Sequence, residues 1–174
     1  MPLSRGIFVL TNSMKKEQYQ FDYCRYTDKS LLPSSDAELL KAAWEATEHA
    51  YAPYSEFRVG AAARLANGKV ITGSNQENAS YPVGICAERV LLGNAAVQYP
   101  GIAIEAMAIT YRTHKRPSDT PVSPCGMCRQ ALVEFESRLK TPMRLILGGE
   151  QGEVLVTETA ISLLPFAFGN QHLH

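Results

Sequence analysis

The sequence predicts an α/β protein, a three-layer α/β/α sandwich around a mixed sheet of about five strands. Segments with the two-residue period of strands alternate along the chain with segments of helical period, which is typical of helices packed on both faces of one sheet. An Asn67-Gly68 pair between two strand segments favours a tight hairpin turn, and this antiparallel pair makes the sheet mixed. The length of 174 residues suits one compact domain.

The first predicted helix begins at Ser35 and is stopped by Pro53. Ser35 and Glu38 have the spacing of a capping box, in which each side chain bonds a backbone N–H group of the first turn. Residues 57–65 then alternate in the pattern of a strand with one buried face. After the hairpin turn, residues 70–72 return as the second strand.

The rest of the chain continues the alternation. The predicted elements are a helix at 85–98, a strand at 103–111, a helix at 125–138, strands at 143–147 and 154–156, and a short helical end at 163–165. We therefore predict a single domain at residues 35–174. Residues 1–34 mix polar and aromatic residues without a clear period, so we predict an N-terminal extension of unclear role, with Met14 as a candidate translation start.

Charge and hydropathy exclude several classes of function. Seventeen basic residues balance seventeen acidic ones, so we expect no attraction for phosphate backbones and no nucleic-acid partner. No segment approaches the roughly 18 apolar residues that span a bilayer. The apolar run at residues 7–10 is too short for a secretory signal. We therefore expect a cytoplasmic protein without a membrane partner, whose thiols stay reduced.

Three of the four cysteines stand at the beginnings of two predicted helices. A helix N-terminus carries unpaired N–H groups and partial positive charge, which stabilise a thiolate. Cys125 and Cys128 are three residues apart and so share one face of their helix, while Cys86 begins the other helix. Three thiolates on one Zn²⁺ leave the fourth tetrahedral position open, as in a catalytic site. The sequence predicts one such zinc ion per chain.

Glu88 and Arg89 lie close enough to Cys86 to belong to the same site. Glu88 and Cys86 face one point only if both lie in the first helical turn, with the ion beyond the helix end. Glu88 is then a carboxylate that can accept a proton and hand it on. Arg89 shares the face of Cys86, and a guanidinium hydrogen-bonded to the thiolate sulfurs would offset their excess negative charge.

Other features have simpler interpretations. Cys24 could be the fourth ligand of a structural zinc site, but it lies in the extension without a partner at ligand spacing, which favours a packing role. The four histidines are not spaced to complete a ligand set. The basic cluster at residues 112–116 adjoins Pro117 and favours a solvated turn over nucleic-acid contact.

The two cysteine motifs, Cys-Ala-Glu-Arg at 86–89 and Pro-Cys-Gly-Met-Cys-Arg-Gln at 124–130, resemble those of the homotetrameric zinc-dependent cytidine deaminases. The resemblance covers residues 35–169 and extends to the motifs at 51–55, 57–62, 75–82 and 163–165. It implies hydrolytic deamination of cytidine and 2′-deoxycytidine to the uridines, with release of ammonia, in pyrimidine salvage. In that reaction zinc-bound hydroxide attacks C4 of cytosine and Glu88 shuttles the proton.

The resemblance also implies roles for individual side chains. Cys86, Cys125 and Cys128 match the zinc ligands of the family. Five further residues match positions that contact substrate: Asn75 and Glu77 on the ribose 3′-hydroxyl, Phe57 on the base, and Tyr81 and Phe168, which reach into a neighbouring subunit's site. The resemblance also implies a homotetramer, in which subunits contribute these last two residues to one another's sites.

Three other functions stay open at this point. A zinc deaminase of a blasticidin-type aminonucleoside would share the cysteines, but such relatives usually lack the Asn-x-Glu-Asn motif at 75–78 and the arginine at position 89. A polynucleotide-editing deaminase would bind single strands in a salt-sensitive way. A non-catalytic zinc-stabilised binding module would hold metal without turning over any cytosine derivative.

Overall fold

A computed structural model describes residues 14–173 and confirms the three-layer α/β fold. Residues 1–13, with the apolar run at 7–10, and His174 lie outside the described part. The six strands are β1 (Cys24–Tyr26), β2 (Phe57–Leu65), β3 (Val70–Ser74), β4 (Ile104–Thr113), β5 (Arg144–Gly148) and β6 (Val154–Thr157). The three α-helices of the described part are α1 (Ser34–Ala46), α2 (Ala87–Gln98) and α3 (Gly126–Leu139).

The strand order is β1-β6-β5-β4-β2-β3. Strands β4 and β5 are parallel, whereas the other neighbouring pairs are antiparallel, so the sheet is mixed as predicted. None of the helices within residues 14–173 is long and apolar enough to cross a membrane.

The sheet is buried on both faces. On one face, α1 packs Leu40 and Ala43 against Ala62 of β2. On the other face, Ala61 of β2 lies in a core with Leu91 of α2 and with residues of α3. The prediction that residues 57–65 have one buried face was therefore wrong, because β2 is a central strand covered by helices on both sides.

The close approach of α2 to the sheet depends on Gly73 in β3. A Cβ atom at Gly73 would lie 2.5 Å from the carbonyl oxygen of Ala87, the first residue of α2. Such a contact is too short for a real Cβ, so only glycine lets the N-terminus of α2 rest on the strand. This packing fixes the helix end that carries Cys86 and Glu88.

The start of α1 differs from the prediction. Pro33 occupies the N-cap position and no side chain caps the helix, so the predicted capping box at Ser35 and Glu38 was wrong. Asp36 in the first turn is buried instead and forms an ion pair with Arg144 at 2.8 Å. Its carboxylate stabilises the positive end of the helix and joins α1 to β5 in one contact.

The extension supplies a sixth strand beyond the predicted five. Residues 24–26 form β1, which pairs antiparallel with residues 154–156 of β6. Arg25 and Glu153 add an exposed ion pair at 2.7 Å. Further toward the N-terminus, the hydroxyl of Tyr19 donates to the carbonyl oxygen of Ser162 at 3.3 Å. Part of the extension is thus docked along the edge of the sheet.

Candidate active site

The N-termini of α2 and α3 bring three cysteines together. Cys86 and Cys125 occupy the N-cap positions with extended backbone, and Cys128 lies in the first turn of α3. The Sγ of Cys125 lies 3.9 Å from that of Cys86 and 3.5 Å from that of Cys128. All three sulfur atoms lie within 4.8 Å of one another. Tetrahedral Zn–S bonds of about 2.3 Å place sulfurs about 3.8 Å apart, so the cluster fits one zinc ion.

The charge state of the cluster also suits a divalent cation. A hydrogen bond from the Cys128 thiol lowers the pKa of Cys86 to about 6. The same contact, together with burial, raises the pKa of Cys128. A divalent cation bound here would favour thiolate at each sulfur, because metal ligation requires the deprotonated form. Soft thiolate donors at two positive helix ends are a suitable ligand set for zinc.

Glu88 lies in the first turn of α2, next to the cysteine cluster. It is only 4% exposed, and burial raises the pKa of its carboxyl group. Glu88 and Cys86 both line the same cavity, although they are two residues apart. Cys86 and Glu88 can therefore face one point, as predicted, because both lie at the N-terminal end of α2 and this end is directed at the site.

A cavity of about 400 Å³ opens onto Cys86, Cys125 and Glu88, a size suited to a small organic ligand. Four of the five residues predicted to contact substrate line it, namely Phe57, Asn75, Glu77 and Tyr81. Sequence reasoning missed the apolar part of the wall, which consists of Val59, Ile85, Ile109, Val122 and Met127. Val59 and Ile109 lie on strands, Met127 in the first turn of α3, and Ile85 and Val122 in loops before the two helices, so no common sequence pattern marks them.

Two polar side chains on the cavity wall are held by backbone hydrogen bonds. The side-chain oxygen of Asn75 accepts from the N–H of Val59 at 2.7 Å, and its amide donates to the carbonyl of Phe57 at 2.9 Å. The carboxylate of Glu77 accepts from the N–H groups of Tyr54 at 2.9 Å and of Ser55 at 3.2 Å. Asn75 and Glu77 are therefore fixed before any ligand binds.

These contacts also set the charge of Glu77. Burial by itself would raise the pKa of the carboxyl group, but the hydrogen bonds from Ser55 and from the backbone of Tyr54 outweigh it. The net result is a pKa below the ordinary value. Glu77 is therefore an ionised acceptor at the edge of the cavity.

The aromatic residues of the predicted site lie in different surroundings. The ring of Phe57 stacks on that of Tyr111, with 4.8 Å between the ring centroids. Of the two residues, Phe57 lines the cavity. Tyr81 is 75% exposed at the cavity rim. Phe168 is 58% exposed, stacks on His172 and lies outside the cavity lining of its own chain.

Arg89 lies beside the cluster with its guanidinium at 4.0 Å from the thioether sulfur of Met127. Its charge helps to lower the pKa of Cys86, after the larger effect of the Cys128 hydrogen bond. The expected hydrogen bonds from Arg89 to the thiolate sulfurs stay a prediction.

The basic cluster at residues 112–116 is engaged in contacts within the chain. Arg112 pairs with Glu48 and lies over the ring of Trp44, 4.4 Å from its centroid. The ammonium group of Lys115 donates to the carbonyl oxygen of Ser55 at 2.9 Å. These contacts favour the structural interpretation of this loop over nucleic-acid binding.

Comparison with known proteins identifies the same kind of site. Residues 33–141 match the family described as the cytidine and deoxycytidylate deaminase zinc-binding region. The cytidine deaminase of Halalkalibacterium halodurans is 42% identical over 132 residues, which cover 75% of this chain and 91% of that protein. The cytidine deaminase of Sporosarcina psychrophila is 36% identical over 137 residues, covering 78% and 93%.

Solved structures agree with this match. The 1.6 Å crystal structure of cytidine deaminase from Burkholderia pseudomallei superposes with a TM-score of 0.65 at 44% identity, covering 75% of this chain and 97% of that one. The cytidine deaminase of Mycobacterium tuberculosis superposes with a TM-score of 0.60 at 32% identity, covering 76% and 95%.

Proposed function

Because this chain belongs to the family of cytidine and deoxycytidylate deaminases, we propose that it acts on free cytidine and 2′-deoxycytidine in cytoplasmic pyrimidine salvage. Its reaction is zinc-dependent hydrolytic deamination, which converts cytidine to uridine and releases ammonia. The observation that carries the proposal is the cluster of three sulfurs beside a buried carboxyl group in a cavity of nucleoside size. We assign the catalytic domain to residues 35–174, with residues 1–34 as an extension.

The residues at the helix ends divide the chemistry between them. Cys86, Cys125 and Cys128 hold the zinc ion, which supplies Lewis-acid activation of water when it is bound. Glu88 accepts a proton from the attacking water and donates a proton to N3 of the cytosine ring as the C4–O bond forms. It then takes the remaining proton from the hydroxyl on C4 and delivers it to the amino group, so that the C4–N bond breaks, the C4=O bond forms and ammonia leaves. A raised pKa suits this role, because the carboxyl group must accept and hold a proton within each of the two steps.

The cavity wall selects a nucleoside. We assign the ribose 3′-hydroxyl to Asn75 and Glu77, whose backbone hydrogen bonds hold them in place before binding. An analogue without this hydroxyl would forgo its hydrogen bonds to these two pre-positioned groups, which costs affinity. Phe57 packs on the base, and its stacking on Tyr111 restricts the motion of the ring.

We assign to Arg89 the role of offsetting the negative charge of the three thiolates. Three thiolates on one zinc ion leave an excess of negative charge, which makes the metal a weaker Lewis acid. A guanidinium beside the sulfurs offsets part of this charge, and the effect of Arg89 on the pKa of Cys86 supports the assignment.

The exposed aromatic residues support a homotetramer. Tyr81 stands at the cavity rim, and the C-terminal segment, residues 163–168, leaves Phe166 fully exposed and Phe168 largely so. An apolar segment of this kind is a liability on a monomer, whereas closed symmetric assembly buries it. We propose that Phe168 covers the cavity of a neighbouring subunit and that Tyr81 also contributes across an interface.

A direct assay tests the proposed function. The purified protein is incubated separately with cytidine, 2′-deoxycytidine, cytosine base and blasticidin S, and the loss of the cytosine chromophore is followed by ultraviolet absorbance. We expect turnover of the two nucleosides and little of the base. Preferred turnover of blasticidin S would identify an antibiotic deaminase, and zinc content without turnover of any of the four would identify a binding module.

A further inference from the structure

The side chain of Arg129 in α3 contacts three oxygen atoms on two segments next to the cysteine cluster. Its Nε donates to the carbonyl oxygen of Pro124 at 2.9 Å, and its Nη2 donates to the hydroxyl of Ser123 at 3.1 Å. Its Nη1 donates to the carbonyl oxygen of Leu163 at 3.2 Å. The planar fork of a guanidinium is suited to such a spread of acceptors, whereas an ammonium group is not.

These contacts surround Cys125. Ser123 and Pro124 directly precede this cysteine, and the backbone N–H of Arg129 donates to the carbonyl oxygen of Cys125 itself at 2.9 Å. Cys125 is exposed, and its side chain makes no N-cap hydrogen bond to α3. On the helix side, the peptide of Cys125 is held by the ordinary backbone hydrogen bond of α3. The direction of the sulfur therefore depends on how firmly the preceding peptide is held, and the side chain of Arg129 holds it at Ser123 and Pro124.

The same part of α3 also holds the C-terminal segment. Arg129 bonds this segment at Leu163, and the amide of Gln130 donates to the carbonyl oxygen of Phe168 at 2.8 Å. One turn of helix therefore connects the cysteine cluster to the segment that carries Phe168. A displacement of that segment changes the acceptors available to the guanidinium beside Cys125.

We propose that Arg129 is a positioning residue of the metal site, which orients Cys125 and couples it to the C-terminal segment. The inference rests on the proposed role of Cys125 as a zinc ligand. Arg129 acts through the peptide of residues 123–125 and not through contact with substrate. Its loss therefore weakens metal binding even where the three cysteines and Glu88 are unchanged.

The test measures zinc affinity by competition with a chelator in Arg129→Ala and Arg129→Lys. We expect both to bind zinc roughly 10–100-fold more weakly than the parent protein, as changes around metal ligands commonly do. Lysine should not restore affinity, because it keeps the charge but loses the fork. Absorbance of the cobalt-substituted proteins should show an altered thiolate-to-metal band.

Arg144→Ala is the matched control. Arg144 also joins distant segments, through Asp36 and Glu158 at 2.8 Å each, but these residues lie outside the cysteine cluster. The Arg144→Ala variant should have lower thermal stability. Its zinc affinity should stay within about twofold of the parent protein, because a residue affects metal affinity in this way only when it contacts the metal ligands. Wild-type affinity in both Arg129 variants, or an equal loss in Arg144→Ala, would overturn the proposal.

Ser123→Ala gives a milder version of the same test if the Arg129 variants fail to fold. It removes one acceptor of the guanidinium, and we expect a smaller loss of zinc affinity in the same direction; unchanged affinity would count against the proposal. Cys125→Ala separates this question from the ligand assignment. Full zinc affinity in that variant would reject Cys125 as a ligand and with it the basis of the proposed function.

Discussion

Cys86 and Cys125 are 39 positions apart in the chain, yet their Sγ atoms lie 3.9 Å apart at the ends of two different helices. We expect the purified protein to hold about one zinc per chain, and replacement of Cys86, Cys125 or Cys128 by Ala to release the metal and abolish turnover. Metal analysis checks this, with Cys24→Ala as the control because Cys24 is exposed on β1. One zinc per chain in all three ligand variants would refute the assignment.

Glu88→Gln should retain zinc and fold but lose on the order of 10²-fold or more in kcat, because the amide cannot carry the proton. Steady-state kinetics on protein of verified zinc content measures the loss. The exposed residue Glu134 on α3 provides a control, since Glu134→Gln removes the same charge outside the cavity lining. Nearly full activity in zinc-loaded Glu88→Gln would remove Glu88 from the mechanism.

Arg89→Ala should keep the three ligands and weaken the enzyme by roughly 10–100-fold in activity or zinc affinity. The reason is that the thiolates lose the neighbouring charge that lowers the pKa of Cys86. Chelator competition and kcat are measured together, with Arg89→Lys as the partner variant that keeps the charge. If Arg89→Ala matched the parent protein in both measurements, charge compensation would be unimportant at this site.

The carboxyl group of Glu77 predicts a pH dependence of stability. Its pKa in the folded protein is below the ordinary 4.5, so its contribution is fully present above that value and is lost as the pH falls through the lower folded pKa. The difference in unfolding free energy between the parent and Glu77→Gln should therefore stay constant from about pH 7 to 5 and shrink below about pH 4. Urea denaturation at several pH values measures it. A difference that grew on acidification would contradict the assigned direction.

We expect the C-terminal segment to be required for both assembly of the tetramer and turnover. Light scattering should give about four times 19.1 kDa, and truncation before Pro165 should damage assembly and turnover although every cysteine remains. Phe168→Ala should raise the KM for cytidine, whereas Phe166→Ala, two positions away and fully exposed, should not. A fully active monomer would overturn the shared-site arrangement and leave the zinc chemistry unaffected.

The two helices that begin at cysteines, α2 and α3, could be predicted because the sequence patterns that mark their N-termini are local. Cys86 and Cys125 mark helix starts within two residues of the observed ones, and helix geometry alone relates Cys128 to Cys125. The capping box failed because the helix begins at Ser34 with Pro33 as its N-cap, which places Ser35 inside the first turn. The contact of Asp36 with Arg144, 108 positions away, lies outside any local pattern.

Burial was harder to predict than secondary structure. The small side chains of β2 are compatible both with a strand that has one buried face and with a central strand buried on both faces. Which of the two forms depends on the helices that pack on each side of the sheet. Val59 and Ile109 illustrate the same limit at the site, since an apolar residue on a strand has one pattern whether it faces core or cavity. Cavity walls of this type become visible only in three dimensions.

The pairing of β1 with β6 also bears on the order of events during biosynthesis. Arg25 meets Glu153 across 128 positions, so a ribosome must release almost the entire catalytic domain before the strand has a partner. Bringing such distant segments together carries a large loop-closure cost, and a ladder of three residues returns little by itself. We therefore expect this strand to dock after the central sheet has formed.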